Sequence, residues 1–230
     1  MMGHSLVIVR HGYLVKEVHS PGVSGSTRFD VWSCTKSFTG VAWGLLLDES
    51  MQGVTPNRPL LTLESPAYDF IPDGQPLTDP RKTEIKIKHL LSMTSGIAGE
   101  SEEIASVSVG PQQGPFEFCL GKVPNRYGQM ADTLASNPGE KWDYSDPAVA
   151  HLSLALYHIT GQDIRSYMTD RVLSPIGIEN ASWDVMGGGS FLGPYTNTCV
   201  GLHISARELA RFGYLLLHNG YWNGREVVPE

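Results

Sequence analysis

Ser33-Cys34-Thr35-Lys36 places a hydroxyl and an amine three residues apart at the head of an apolar segment. On an α-helix, residues i and i+3 share a face, so the lysine amine can reach the serine hydroxyl. A free serine is a weak nucleophile and needs an adjacent base. Lysine can serve if burial or a neighbouring cation lowers its pKa enough to populate the neutral amine. The helix N-terminus favours developing negative charge, and the Ser33 N–H is a candidate oxyanion donor. Tyr144, in Tyr144-Ser145-Asp146, is the second candidate. It stands just before a capped helix, where a phenol could project into a cleft. As tyrosinate, or sharing a proton with Lys36, it would act as general base.

The same residues have plainer readings. S-x-x-K is frequent by chance, and would then be a helix cap followed by a surface lysine. Tyr144 would then be a buried tyrosine satisfied by one hydrogen bond. Asp146 reads mainly as the N-cap of a helix starting at Pro147. Cys34, among apolar neighbours, reads as a small buried residue rather than a nucleophile. His89, His151, His158 and His203 have no mutual spacing that suggests a metal site. There is no G-x-S-x-G elbow, which argues against an α/β-hydrolase. Gly187-Gly188-Gly189 lacks the Lys-Ser/Thr of a phosphate loop and reads as a turn. No cofactor and no metal are expected.

The elements that must position these groups follow from periodicity and punctuation. Residues 6–10 and 13–18 flank His11-Gly12 and read as a β-hairpin. A helix is expected from about Ser33 to Glu49, with Phe38, Val41, Ala42, Leu45 and Leu46 at helical spacing and apolar residues on its other faces. Residues 54–82 read as loop, 84–92 as a short strand or helix, and 99–127 as a long irregular excursion. The next helix has Pro147 at its first position, a stripe of Val149, Leu152, Leu156 and Ile159, and Gly161 after its last turn. Another is expected over residues 162–173. The last opens with the capping box Ser205-Ala-Arg-Glu208 and buries Leu209, Phe212 and Leu216. Asn223-Gly224 marks a second hairpin.

Composition bounds the function classes. The 230 residues are 41% hydrophobic and 18% charged, ordinary for a globular chain able to bury a substantial core. A net charge of −7 without a basic cluster argues against a nucleic-acid surface. Three widely spaced cysteines, Cys34, Cys119 and Cys199, suggest neither a disulfide framework nor a zinc site. No apolar run approaches a membrane span, and no signal-peptide layout is seen. The chain reads as cytoplasmic by default; an incomplete N-terminus would open a periplasmic or secreted alternative. The oligomeric state is not encoded in any pattern found.

Four segments taken together resemble one family. VWSCTKSFTG (31–40) resembles the nucleophile motif of class C β-lactamases, related penicillin-binding proteins and the carboxylesterases built on that scaffold. IKHLLSMTSGI (87–97), PGEKWDYSD (138–146) and GLHISARELARFGYLLLHNG (201–220) resemble that family's later segments in the same order. The resemblance implies an α/β (α+β) fold. An antiparallel sheet flanked by helices would come from residues 1–55 and 195–230, and a mainly helical subdomain from 56–194, in one interleaved catalytic domain. It implies a serine hydrolase acting through an acyl-enzyme on a small ester, amide or lactam. Ser33 would be the nucleophile, Lys36 its proton partner and Tyr144 the general base. Asp146 falls where many members have a substrate-binding Asn. Asp lacks the amide donor and adds a negative charge, which leans towards the esterase-like or amidase-like branch.

Two departures set an alternative beside that reading. The family's third motif on a late strand is absent, and Thr94–Gly96 belongs to the earlier segment. The chain is therefore expected to be β-lactamase-like but incomplete at its C-terminus, with an unpaired sheet edge. Losing one oxyanion donor costs about 2.7–4 kcal/mol, so the isolated chain is expected to be a poor catalyst. The alternative is a non-catalytic or truncated relative, a pseudoenzyme or binding protein.

Overall fold

The computed structural model describes residues 4–54, 60–99, 101–110, 114–131, 133–186 and 195–229. The Val- and Leu-rich N-terminal run pairs as an antiparallel hairpin of β1 (Ser5–Arg10) and β2 (Tyr13–His19). His11 and Gly12 both have positive φ, 50° and 80°, as a tight two-residue hairpin turn requires. Three further strands form a second sheet. In it β5 (Leu202–Ser205) lies between β3 (Arg28–Asp30) and β4 (Ser182–Trp183), antiparallel to both. A third pair, β6 (Tyr221–Trp222) and β7 (Arg225–Glu226), turns over Asn223-Gly224 as expected. The antiparallel strands are thus present, distributed over three small sheets.

Helices account for most of the core. Helix α1 (Thr35–Met51) buries Phe38, Ala42, Trp43, Leu45 and Leu46. It starts two residues later than expected, because residues 32–34 form a tighter 3₁₀ turn in front of it. The segment left open between strand and helix is α2 (Ile87–Leu91). The stretch expected to be irregular holds two short helices, α3 (Glu102–Ala105) and α4 (Pro115–Cys119). Helix α5 (Asp146–Thr160) ends at Gly161 in the left-handed conformation. The helix expected over residues 162–173 is split into α6 (Ile164–Met168), capped by Asp163, and a wider π-type turn over Thr169–Leu173. The Gly187–Gly189 turn falls outside the described residues.

Two burial expectations are corrected. Helix α5 buries more than one stripe: Ala148, Ala150, His151, Ser153, Leu154 and Ala155 are enclosed as well as Val149, Leu152, Leu156 and Ile159. The cause is packing by α1, α2 and α4 around it. Helix α7 (Ala206–Leu217) opens with the expected capping box, but it buries Phe212 and Leu215 while Leu216 is exposed. Phe212 stacks on Phe38 with ring centroids 3.6 Å apart, and this contact sets the inward face of α7 against α1.

Asp79 fastens a loop of the helical region. Its buried carboxylate accepts from the Arg81 guanidinium and from the backbone N–H groups of Arg81 and Leu134. The Arg81 hydrogen bonds hold its pKa down at about 2, below the ordinary 3.8. A carboxylate depressed in the folded state stabilises above its unfolded pKa and loses that contribution as pH falls through its folded value. Acid titration of unfolding free energy should therefore show a loss on the order of 2 kcal/mol between about pH 4 and pH 2. Asp79→Asn should flatten that part of the profile; an unchanged profile would show that other carboxylates carry it.

Candidate active site

Ser33 stands on a turn between β3 and α1 that the backbone reaches only with strain. Trp32, immediately before it, has φ of 49°, an unfavourable value for a bulky residue. Asp30 holds that turn: its Oδ1 accepts from the N–H groups of Trp32 (2.8 Å) and Gly201 (3.0 Å). Val31 N–H also donates to Leu202 O at 2.9 Å. The turn is thereby tied to β5 and its preceding loop. Sequence reasoning missed Asp30; the signal was an Asp two residues before the Trp, able to close an Asx-type turn.

Cys34 shares this turn and is exposed. The expectation that it fills buried space is overturned. It precedes α1's enclosed face, which starts with Thr35.

Tyr144 arrives on a segment that runs beside residues 93–99. Gly139 N–H donates to Thr94 O, Asp143 N–H to Met93 O, and the Ser145 hydroxyl to Ala98 O. The approach is closest at Gly99, where a Cβ would lie 2.0 Å from the Tyr144 carbonyl oxygen. Gly99→Ala must therefore move the backbone that carries the phenol. We expect about 100-fold slower turnover and about 1–3 kcal/mol of destabilisation, read by kinetics and thermal unfolding. Normal turnover in this variant would show that Tyr144 is not held through this approach.

The structure brings Ser33, Lys36 and Tyr144 together. Ser33 Oγ lies 2.7 Å from the Tyr144 hydroxyl across 111 residues of sequence, and Lys36 Nζ lies 3.2 Å from the same Oγ. Among the described residues the Ser33 N–H has no acceptor. Lys36 Nζ also donates to Cys199 O at 3.1 Å and pairs with Asp146 Oδ1 at 2.7 Å. An ammonium has three donors, and three acceptors surround this one.

Burial opposes the charge on Lys36, but hydrogen bonds to Asp146 and Tyr144 outweigh it, and its pKa is raised above the ordinary lysine value. The direction is opposite to the one that burial alone would give. The expected role of Asp146 as helix cap is overturned. Ser145 is the N-cap, accepting from Ala148 N–H at 3.1 Å, which leaves the Asp146 side chain free to turn to Lys36.

Cys199 was not singled out by its sequence. It sits on a polar segment wedged between α1 and α5. There the Thr39 hydroxyl donates to Thr198 O, the Thr198 hydroxyl to Val149 O and the Ser153 hydroxyl to Thr196 O. The Cys199 thiol donates to Asp146 O, and burial pushes its pKa up to about 12, so it stays a neutral donor. Thr196-Asn197-Thr198 was the only visible signal: a polar run in an otherwise unremarkable loop.

The clefts do not coincide with this cluster. One of about 500 Å³ lies between the hairpin and α7, lined by Val7, Val9, Leu14, Tyr214 and Trp222. Another of about 470 Å³ lies beside Trp32, lined by Phe29, Ile204 and Leu209. Neither of these two is lined by Ser33. We place the candidate site at Ser33, because the hairpin cleft brings no nucleophile and base together. No group of His, Cys, Asp and Glu suited to a metal occurs among the described residues. No helix there is long and apolar enough to cross a membrane.

The family model described as Beta-lactamase matches residues 2–229. Protein flp of Staphylococcus aureus strain MW2 is 27% identical over 194 residues, covering 79% of this chain and 34% of that protein. The match thus spans about a third of the length of that protein. Among solved structures, the D-amino acid amidase from Ochrobactrum anthropi SV3 superposes with a TM-score of 0.69 at 17% identity, covering 99% of this chain and 69% of that one. The octameric penicillin-binding protein homologue from Pyrococcus abyssi does so with a TM-score of 0.68 at 18% identity, covering 99% and 54%. These structural matches bear on the fold: mixed helices and antiparallel strands arranged as in β-lactamase-like hydrolases.

Proposed function

The chain belongs to the beta-lactamase family, a hydrolase fold family, and from that premise we propose that it is a serine hydrolase acting through an acyl-enzyme on a small ester, amide or lactam. The observation that carries this reading is the 2.7 Å contact between Ser33 Oγ and the Tyr144 hydroxyl, with the Lys36 ammonium 3.2 Å from the same oxygen. Ser33 attacks the substrate carbonyl. Tyr144 takes its proton as general base and later returns it to the leaving group. Lys36 serves as a fixed positive charge beside both oxygens, not as the proton acceptor. The Ser33 N–H donates to the developing oxyanion. Water then attacks the acyl-serine, with Tyr144 again as base, and frees Ser33. Asp146 lines the same site and neutralises Lys36.

Fluorophosphonate labelling, with the modified residue located by mass spectrometry, tests the nucleophile. Parallel assays of p-nitrophenyl acetate, nitrocefin and a D-alanyl peptide sort the ester, lactam and peptide classes. A chain that labels nowhere and turns over none of the three is a non-catalytic relative.

A further inference from the structure

We infer that Asp146 selects substrates by charge: the site takes neutral or cationic acyl donors and disfavours those with a carboxylate beside the scissile bond. This rests on Ser33 as the nucleophile. The Lys36–Asp146 pair is lopsided. The Lys36 side chain is 13% exposed and that of Asp146 50%, so the carboxylate is the outer member and meets an incoming substrate first. The Lys36 ammonium is already engaged by Asp146 Oδ1, Cys199 O and Ser33 Oγ.

The surroundings lean the same way. Asp30 lies on the turn that carries Ser33, and Asp143 on the segment that carries Tyr144. The Cys199 thiol is neutral. Among the described residues no second lysine or arginine pairs with Ser33, Tyr144 or Asp146. The one ammonium at Ser33 is thus already paired with a half-exposed carboxylate. A substrate carboxylate would enter without a counter-ion and against like charge.

The test uses the full-length protein and three p-nitrophenyl esters of similar length: neutral butanoate, anionic hemisuccinate and a cationic trimethylammonio ester. Each kcat/KM is divided by the ester's rate with hydroxide. We expect the wild type to disfavour the hemisuccinate. Asp146→Asn should raise the anionic-to-neutral ratio about tenfold, as removing a unit charge roughly 6 Å away in half-exposed surroundings would do. Asp146→Glu should keep the wild-type preference. A wild type that shows no discrimination against the hemisuccinate, or an unchanged ratio in Asp146→Asn with Ser33 still labelled by fluorophosphonate, overturns this inference alone. Wild-type protein that neither labels nor turns over any ester overturns the acyl-enzyme reading along with it. Should Asp146→Asn fail to fold, the wild type decides: raising ionic strength from about 20 mM to about 0.5 M should shrink the discrimination several-fold, and a salt-independent ratio refutes it.

Discussion

Ser33→Ala is expected to abolish fluorophosphonate labelling and to lower ester turnover by on the order of 10⁴–10⁶. The effect should be this large because the proposed mechanism makes this hydroxyl the bond-forming atom, and no other described hydroxyl meets both Lys36 and Tyr144. The informative control is Cys34→Ala. The exposed thiol is one residue away and would be the natural substitute nucleophile. It has no hydrogen bond to Tyr144 or Lys36. We therefore expect Cys34→Ala to keep wild-type labelling and rate. The reverse pattern, turnover kept in Ser33→Ala and lost in Cys34→Ala, would transfer the role to the thiol.

Tyr144→Phe is expected to lower kcat about 10²–10⁴-fold with little change in KM, since it removes proton transfer and leaves the ring in place. The phenylalanine keeps the edge contact with Trp142 and the ring under the Lys36 ammonium, so folding should be nearly unaffected. Lys36→Ala should fall in the same range, and it leaves Asp146 as an unpaired carboxylate at the same spot. The two losses should not add. A double variant only slightly slower than either single one is the signature of groups acting as a unit. Additive losses would mean that Lys36 and Tyr144 act at separate steps.

Much of the frame was readable from local chemistry. The first hairpin, the Asn223-Gly224 turn, the Ser205 capping box and the Gly161 helix stop all follow from backbone preferences of particular residues, and all occur where their residue types require. Residue type and local spacing made Ser33, Lys36 and Tyr144 candidates, and the resemblance of four ordered segments supplied the roles expected of them. Tertiary structure decided what lies far apart in sequence. It joined Tyr144 to Ser33 over 111 residues, and it brought Cys199 O to Lys36 over 163. It also overturned local readings. Asp146 read as the cap of the helix at Pro147, but Ser145 caps it and the Asp146 side chain pairs with Lys36. Lys36 could have been a buried neutral amine, but a carboxylate 110 residues downstream keeps it charged. Periodicity reports which face of a helix is apolar. It does not report which charges from other elements will arrive there, and those charges set the chemistry of this site.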